Sequence, residues 1–220
     1  MEQEEIIERT VDFVKSALKD AEGGHDWFHI ERVWKNAKHI AQEEDVDLFI
    51  VELGALLHDI ADAKFYEGNE NIGPEKARGF LKNIGVEKPV IDHIENIIRN
   101  ISYKSSLDKE KKHRFTSKEM QVIQDADRLD AIGAIGIART FNYGGFKNRE
   151  IYNPEIKPET NLTKETYKKS TAPTINHFYE KLLLLKDQMN TKTGKKIAEN
   201  RHRYMEDFLD QFYKEWEGIR

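Results

Sequence analysis

The stretch Leu53-Gly-Ala-Leu-Leu-His-Asp-Ile-Ala-Asp62 carries a histidine and an aspartate, His58 and Asp59, at the end of an almost wholly apolar run. A helix that is apolar on most faces belongs in the interior, so His58 and Asp59 are expected at or near the core. A carboxylate there needs a cation, a hydrogen-bond network or a raised pKa. On these ten residues two readings stay open: an imidazole donating to its neighbour's carboxylate, or a pair of metal ligands. Two further groups occur in apolar helical settings: His29, in the first turn of another helix, and Asp127, within Asp125-Ala-Asp-Arg-Leu-Asp130. Two imidazoles and two carboxylates without a thiolate suit one divalent ion of borderline hardness, Mn²⁺, Fe²⁺ or Zn²⁺, with Mg²⁺ also compatible. Four protein ligands on an octahedral ion leave positions for water and a substrate oxygen, and an open position distinguishes a catalytic site from a structural one.

The elements that must position these groups read as helices. Residues 4–21 form an amphipathic segment with Ile6, Ile7, Val11, Val14 and Leu18 near helical spacing, stopped by Gly23-Gly24. A second helix runs to about Glu44 with Ile30, Val33, Ala37 and Ile40 on its core face, and it places Arg32 one turn from His29. The central helix is expected over 47–62, then a loop through Gly73-Pro74, and helices over 75–83 and 88–101. Residues 102–118 are charged and irregular, with a possible contact at Ser102-Tyr-Lys104. Residues 118–138 read as one long buried helix or two in tandem, in which Gly133 and Gly136 lack the strand and glycine pattern of a dinucleotide loop. They are read as close-packing points against another helix. Residues 141–161 are rich in Gly, Pro and Asn and are expected to be a loop over a site. Helices over 164–189 and 193–216 close the chain. No period-two stretch and no internal repeat occurs, so the fold class is all-α, a single-domain helical bundle over 1–220.

Composition narrows the function classes. With 220 residues, 38% hydrophobic and 34% charged, the chain can bury a sizeable core under a well-charged surface. A net charge of −5 argues against a nucleic-acid partner held by a broad basic face. The absence of cysteine excludes disulfides, thiolate zinc sites and cysteine nucleophiles. No run approaches a membrane span and Met-Glu-Gln-Glu-Glu is unlike a signal peptide, so a soluble cytoplasmic protein without a membrane partner is expected.

The order His29, then His58-Asp59, then Asp127 resembles the HD superfamily of metal-dependent phosphohydrolases. The wording His25-Asp-Trp-Phe-His-Ile-Glu-Arg-Val33, Leu57-His-Asp-Ile-Ala-Asp-Ala-Lys64 and Asp125-Ala-Asp-Arg-Leu-Asp-Ala-Ile-Gly-Ala134 is similar to one bacterial branch. Some members of that branch hydrolyse nucleoside triphosphates at a pyrophosphate linkage. The resemblance covers about 22–141 and extends to the C-terminal helices, expected to pack on that core over 164–216. It implies an HD-type bundle with His29, His58, Asp59 and Asp127 as ligands to one metal ion, Mn²⁺ first. Dinuclear members carry further histidines between the doublet and the last aspartate. Here His93 and His113 stand in no matching motif, so a single ion is expected.

The resemblance also implies that Asp62, one turn beyond the doublet, orients or deprotonates the attacking water. The bland alternative is a helix-end aspartate pairing with Lys64 or Arg32. Phosphoryl charge needs cations, and Lys64 and Arg32, nearest to the proposed ligands, are the first choices. Arg128 is placed to brace the carboxylates. Lys104, Lys147 and Arg149 sit on loops that could reach a polyphosphate, although a solvated surface role is the simpler account of each. His25 is a capping or supporting residue, and His93 a surface or half-buried one. The expected activity is metal-dependent hydrolysis of a nucleotide, a (deoxy)nucleoside triphosphate giving monophosphate and pyrophosphate. A phosphomonoesterase acting on nucleoside monophosphates is the alternative chemistry. A non-catalytic helical signalling module is the alternative class, and the intact ligand set counts against it.

Overall fold

The computed structural model describes residues 2–19, 26–61, 69, 71–101, 115–159 and 171–219. Every regular element among them is a helix, as the apolar periodicity requires. None of these helices is long and apolar enough to cross a membrane. The chain gathers into two compact units, residues 1–127 and 128–220.

The first unit holds α1 (Gln3–Ala17), α2 (Trp27–Ala41), α3 (Leu48–Leu57), α4 (Ile72–Asn83), α5 (Lys88–Asn100) and most of α6 (Lys118–Asp130). Helix α3 is its centre, with α1, α2 and α5 packed on it and α4 packed on α5. From Ile50 to Leu57 only Glu52 is not buried. Each such aliphatic side chain contributes about 1.5–3 kcal/mol on removal from water. Glu52 has local partners: it accepts from Trp34 Nε1 at 3.0 Å and pairs with Lys38 at 2.9 Å, both on α2. Asp47 caps α3, its carboxylate accepting from the Phe49 and Ile50 amides at 2.9 and 3.3 Å.

The helix boundaries depart from the periodicity at three places in this unit. Helix α1 ends at Ala17, and the Gly23-Gly24 stop lies outside the described residues. Helix α4 begins at Ile72, so Gly73-Pro74 is helical rather than loop; proline is tolerated in a first turn because no intrahelical acceptor awaits its nitrogen. Helix α3 stops at Leu57, with His58 as its C-cap and His58-Asp59 in a turn. The doublet therefore lies at a helix end, both residues half-buried, rather than inside a helix running to 62.

The second unit holds the last turn of α6, α7 (Gly133–Phe146), the short α8 (Asn176–Glu180), a 3₁₀ helix (Leu182–Gln188) and α9 (Lys192–Trp216). Helix α7 and the 3₁₀ helix pack on α9. Phe178 is fully buried, with Phe141 at 6.1 Å and Phe208 at 5.8 Å between ring centroids. Buried Asp130 pairs with Arg139. Arg201 donates to the Leu129 carbonyl at 2.6 Å, and burial lowers its pKa against the raising influence of Asp130.

The tandem alternative for 118–138 holds, since α6 and α7 are separate helices broken at Ala131-Ile132. Gly133 has φ +73°, and a Cβ there would meet the Arg201 side chain of α9 at 3.0 Å, a close approach as expected. Gly136 differs: its Cβ would lie 2.2 Å from the Ala131 carbonyl oxygen, so it accommodates the break itself and not another helix. Helix α7 continues through Phe146, correcting the loop expected from 141. Nor does one helix span 164–189 within the described residues: 171–175 is irregular, and α8 gives way to the 3₁₀ helix at Lys181. Main-chain bonds from Thr174 N to Glu150 O at 2.8 Å and Ile175 N to Ile151 O at 3.0 Å hold that segment beside 150–151.

Candidate metal centre

His29 is fixed by the way α2 starts. Asp26 caps the helix and accepts from the His29 amide at 2.9 Å. The third residue of the helix is thereby held with its side chain 4% exposed. His58 is fixed by the way α3 ends, its Nδ1 lying 2.8 Å from the Ala55 carbonyl oxygen. A carbonyl only accepts, so Nδ1 carries the proton and Nε2 keeps its lone pair. This disfavours the reading in which the His58 imidazole is consumed by its neighbour's carboxylate.

Asp127 is positioned by α6. A Cβ on Gly54 would stand 2.4 Å from Ile123 Cδ1, so the glycine lets α6 approach α3 closely. His58 and Asp127 each lie four residues beyond that contact, one helical turn on. The N-terminal end of α6 is tied down by Glu119, which accepts from the Asp47 amide at 3.3 Å and approaches His93 at 3.7 Å. Burial pushes the Glu119 carboxyl up. The backbone amides of 119 and 47, with Ser117 and His93, outweigh it and hold Glu119 below its ordinary value.

Donor atoms of His29, His58 and Asp59 all lie within 4.8 Å of one another. The two imidazoles meet edge to face, centroids 5.6 Å apart at 64°. Asp127 Oδ1 comes to 3.6 Å from His29 Nε2, beyond hydrogen-bond reach. Ligands at about 2.1 Å from a shared ion stand roughly 3 Å apart when adjacent and about 4 Å apart when opposite. The separations here, 3.6 Å for His29 to Asp127 and at most 4.8 Å among His29, His58 and Asp59, approach those spacings without yet meeting them. Nitrogen and carboxylate donors without sulfur fit a divalent cation.

The remaining expected site residues divide. Arg32 is half-buried on α2, one turn from His29. Asp62, Lys64, His25, Lys104 and His113 lie outside the described residues, as does the 102–114 part of the expected loop. Arg128 donates to the Gln188 carbonyl at 2.8 Å and so ties the end of α6 to the 3₁₀ segment. His93 is half-buried against Ser117 and Phe115. Three positioning elements carry no role in the sequence reading: the Ala55 carbonyl, the Asp26 cap and Gly54. Aspartate immediately before an apolar-periodic helix is a legible cap signal. The other two depend on where a helix ends and which helix crosses it.

The chain is similar to known proteins. A family model for the HD domain covers residues 27–132. The Bacillus subtilis protein YpgQ is 39% identical over 209 residues, spanning 94% of this chain and 92% of its own. An HD-superfamily hydrolase from Bacillus thuringiensis is 45% identical, with 98% of this chain and 99% of its own covered and a TM-score of 0.79. A structure of B. subtilis YpgQ in complex with ADP is 35% identical, with 100% and 99% covered and a TM-score of 0.77.

Proposed function

The chain belongs to the HD superfamily, and on that premise we propose that it is a divalent-metal-dependent phosphohydrolase that cleaves (deoxy)nucleoside triphosphates to monophosphate and pyrophosphate. The observation that carries the reading is the convergence of His29, His58 and Asp59 within 4.8 Å, with Asp127 3.6 Å from His29. These four residues are the proposed ligands of one ion, Mn²⁺ first. Bound there, the ion would lower the pKa of a water and polarise a phosphate oxygen. The ADP complex of YpgQ supports a nucleotide as ligand.

The chain's own groups carry the rest of the chemistry. The Ala55 carbonyl keeps the proton of His58 on Nδ1 and its lone pair on Nε2. Asp62 is proposed to orient the attacking water and take its proton. Lys64 and Arg32 are proposed to hold phosphate oxygens as charge develops on them.

A nucleotide panel with Mn²⁺ or Mg²⁺, scored separately for pyrophosphate and orthophosphate, tests the assignment. Pyrophosphate from triphosphates is the expected product. Orthophosphate released only from monophosphates would move the protein to the phosphomonoesterases. Inactivity on every phosphate ester, with metal bound, would leave a binding module.

A further inference from the structure

The C-terminal unit carries a second concentration of chemistry, of opposite sign. Helix α7 ends at Phe146, and Asn148 adopts φ +52°, a left-handed turn that asparagine accepts more readily than most residues. The turn is closed by Lys147 N to Tyr143 O at 3.0 Å and Arg149 N to Gly144 O at 2.9 Å. It brings two cations to one ring. Lys147 Nζ stands 5.7 Å and Arg149 Cζ 5.6 Å from the Tyr143 centroid, and Lys147 is also 4.9 Å from the Phe146 ring. Both rings face solvent, Tyr143 51% and Phe146 71% exposed.

Helix α8 adds to the same cluster. A Cβ on Gly144 would stand 2.2 Å from Thr174 Oγ1, so glycine is required for the end of α7 to seat on the 174–181 segment. His177 and Lys181 are one turn apart, joined by Lys181 N to His177 O at 3.1 Å. Burial, then Lys181 and Arg149, press the His177 pKa down to about 4. Arg149 therefore acts on both the Tyr143 ring and His177, and together with Lys147 it stands over rings that face solvent.

We propose that Tyr143, Phe146, Lys147 and Arg149 form a binding surface for a nucleotide, its phosphates taken by the cations and its base by an exposed ring. The planar Arg149 fork and the Lys147 ammonium group suit phosphate oxygens. Open rings flanked by cations give a base a face to stack on. A patch of two cations in a chain of net charge −5 is scaled to one nucleotide and not to a nucleic-acid backbone. This surface does not rest on the phosphohydrolase reading.

The test uses full-length protein carrying His58→Ala, in chelator, titrated calorimetrically with ATP and with inorganic triphosphate. Disabling the metal centre separates failure of this proposal from failure of the other. ATP should bind. Arg149→Ala should weaken it by roughly tenfold or more, the size of a lost charge-assisted hydrogen bond, and Arg149→Lys by less. Phe146→Ala should weaken ATP but leave triphosphate unchanged. The His177 NMR titration should move to higher pH when ATP is bound, since an anion offsets the two cations. Absence of ATP binding, or an unchanged Kd in folded Arg149→Ala protein, overturns the proposal. Tighter binding of a single-stranded oligonucleotide than of ATP would overturn the nucleotide in favour of nucleic acid.

Discussion

Two histidines set the two units apart. His29 is buried beside a carboxylate, Asp127, and within 4.8 Å of the donors of His58 and Asp59. His177 is held beside Lys181 and Arg149, where burial and positive charge press its pKa to about 4. The same side chain thus stands among carboxylate and imidazole donors in one unit and is kept neutral among cations in the other. The surroundings, not the residue type, decide what an imidazole does.

The largest expected effects test the cation-binding side. His58→Ala should remove most of the bound metal, read by elemental analysis, and the activity with it. Full occupancy in that variant would show that the cluster is a structural histidine pair. Circular dichroism after chelation should still report a folded chain, because α3 is buried by apolar packing independent of any ion. Asp62→Asn separates the roles further: metal content unchanged, KM little moved, kcat lower by about 10²–10⁴, the usual worth of a positioned general base. Loss of metal there would make Asp62 a ligand, and near-normal kcat a helix-end residue.

A medium effect tests the other side. The folded-state pKa of His177, about 4, lies below the ordinary value of 6.5. Between these values the unfolded chain binds the proton and the native chain does not. The stability is therefore full above pH 6.5 and falls as the pH drops towards 4, by about 3 kcal/mol at most. Urea unfolding of wild type and His177→Gln at pH 7 and pH 5 isolates this contribution from that of the carboxylates. The variant should lose the extra acid sensitivity. An equal pH dependence in both proteins would mean that His177 titrates normally.

How far these contrasts are legible in the sequence depends on the kind of signal. The all-helical fold, His29 in a first turn, the start of α3 at Asp47 and the 88–100 helix follow from apolar spacing and a cap, both local. The end of α3 at Leu57 does not, because the run through Ala61 contains no breaker; the turn at His58-Asp59 is a tertiary outcome. Tyr143-Gly-Gly-Phe146 reads as loop, yet Gly144 serves close approach to Thr174 within a helix. The cluster of Arg149 with His177 depends on pairing between 150–151 and 174–175, which no local pattern announces. For the metal centre, residue order and motif nominate His29, His58, Asp59 and Asp127 together; the donors of the first three lie within 4.8 Å of one another, and Asp127 Oδ1 lies 3.6 Å from His29 Nε2. The device that lets α6 approach, Gly54 against Ile123, is visible only once the helices are packed.

The smallest expected effect compares two helix caps. Asp47 caps α3, which leads into the doublet, and Thr191 caps α9, its hydroxyl accepting from the Gly194 amide at 2.9 Å. Removing either cap with alanine costs about 1 kcal/mol, a drop in Tm of roughly 2–4 °C in a chain of this size. The stability losses should therefore match while the metal affinities diverge. The Asp47 amide also donates to the Glu119 carboxylate, so loosening the start of α3 disturbs the tie between α3 and α6 as well as the helix itself. Asp47→Ala should weaken metal binding by up to about fivefold, since coupling cannot exceed the roughly 1 kcal/mol released at the cap. Thr191→Ala should leave metal affinity unchanged. Equal weakening in both variants would mean that the centre responds to global stability, and the positioning role of the α3–α6 tie would be lost.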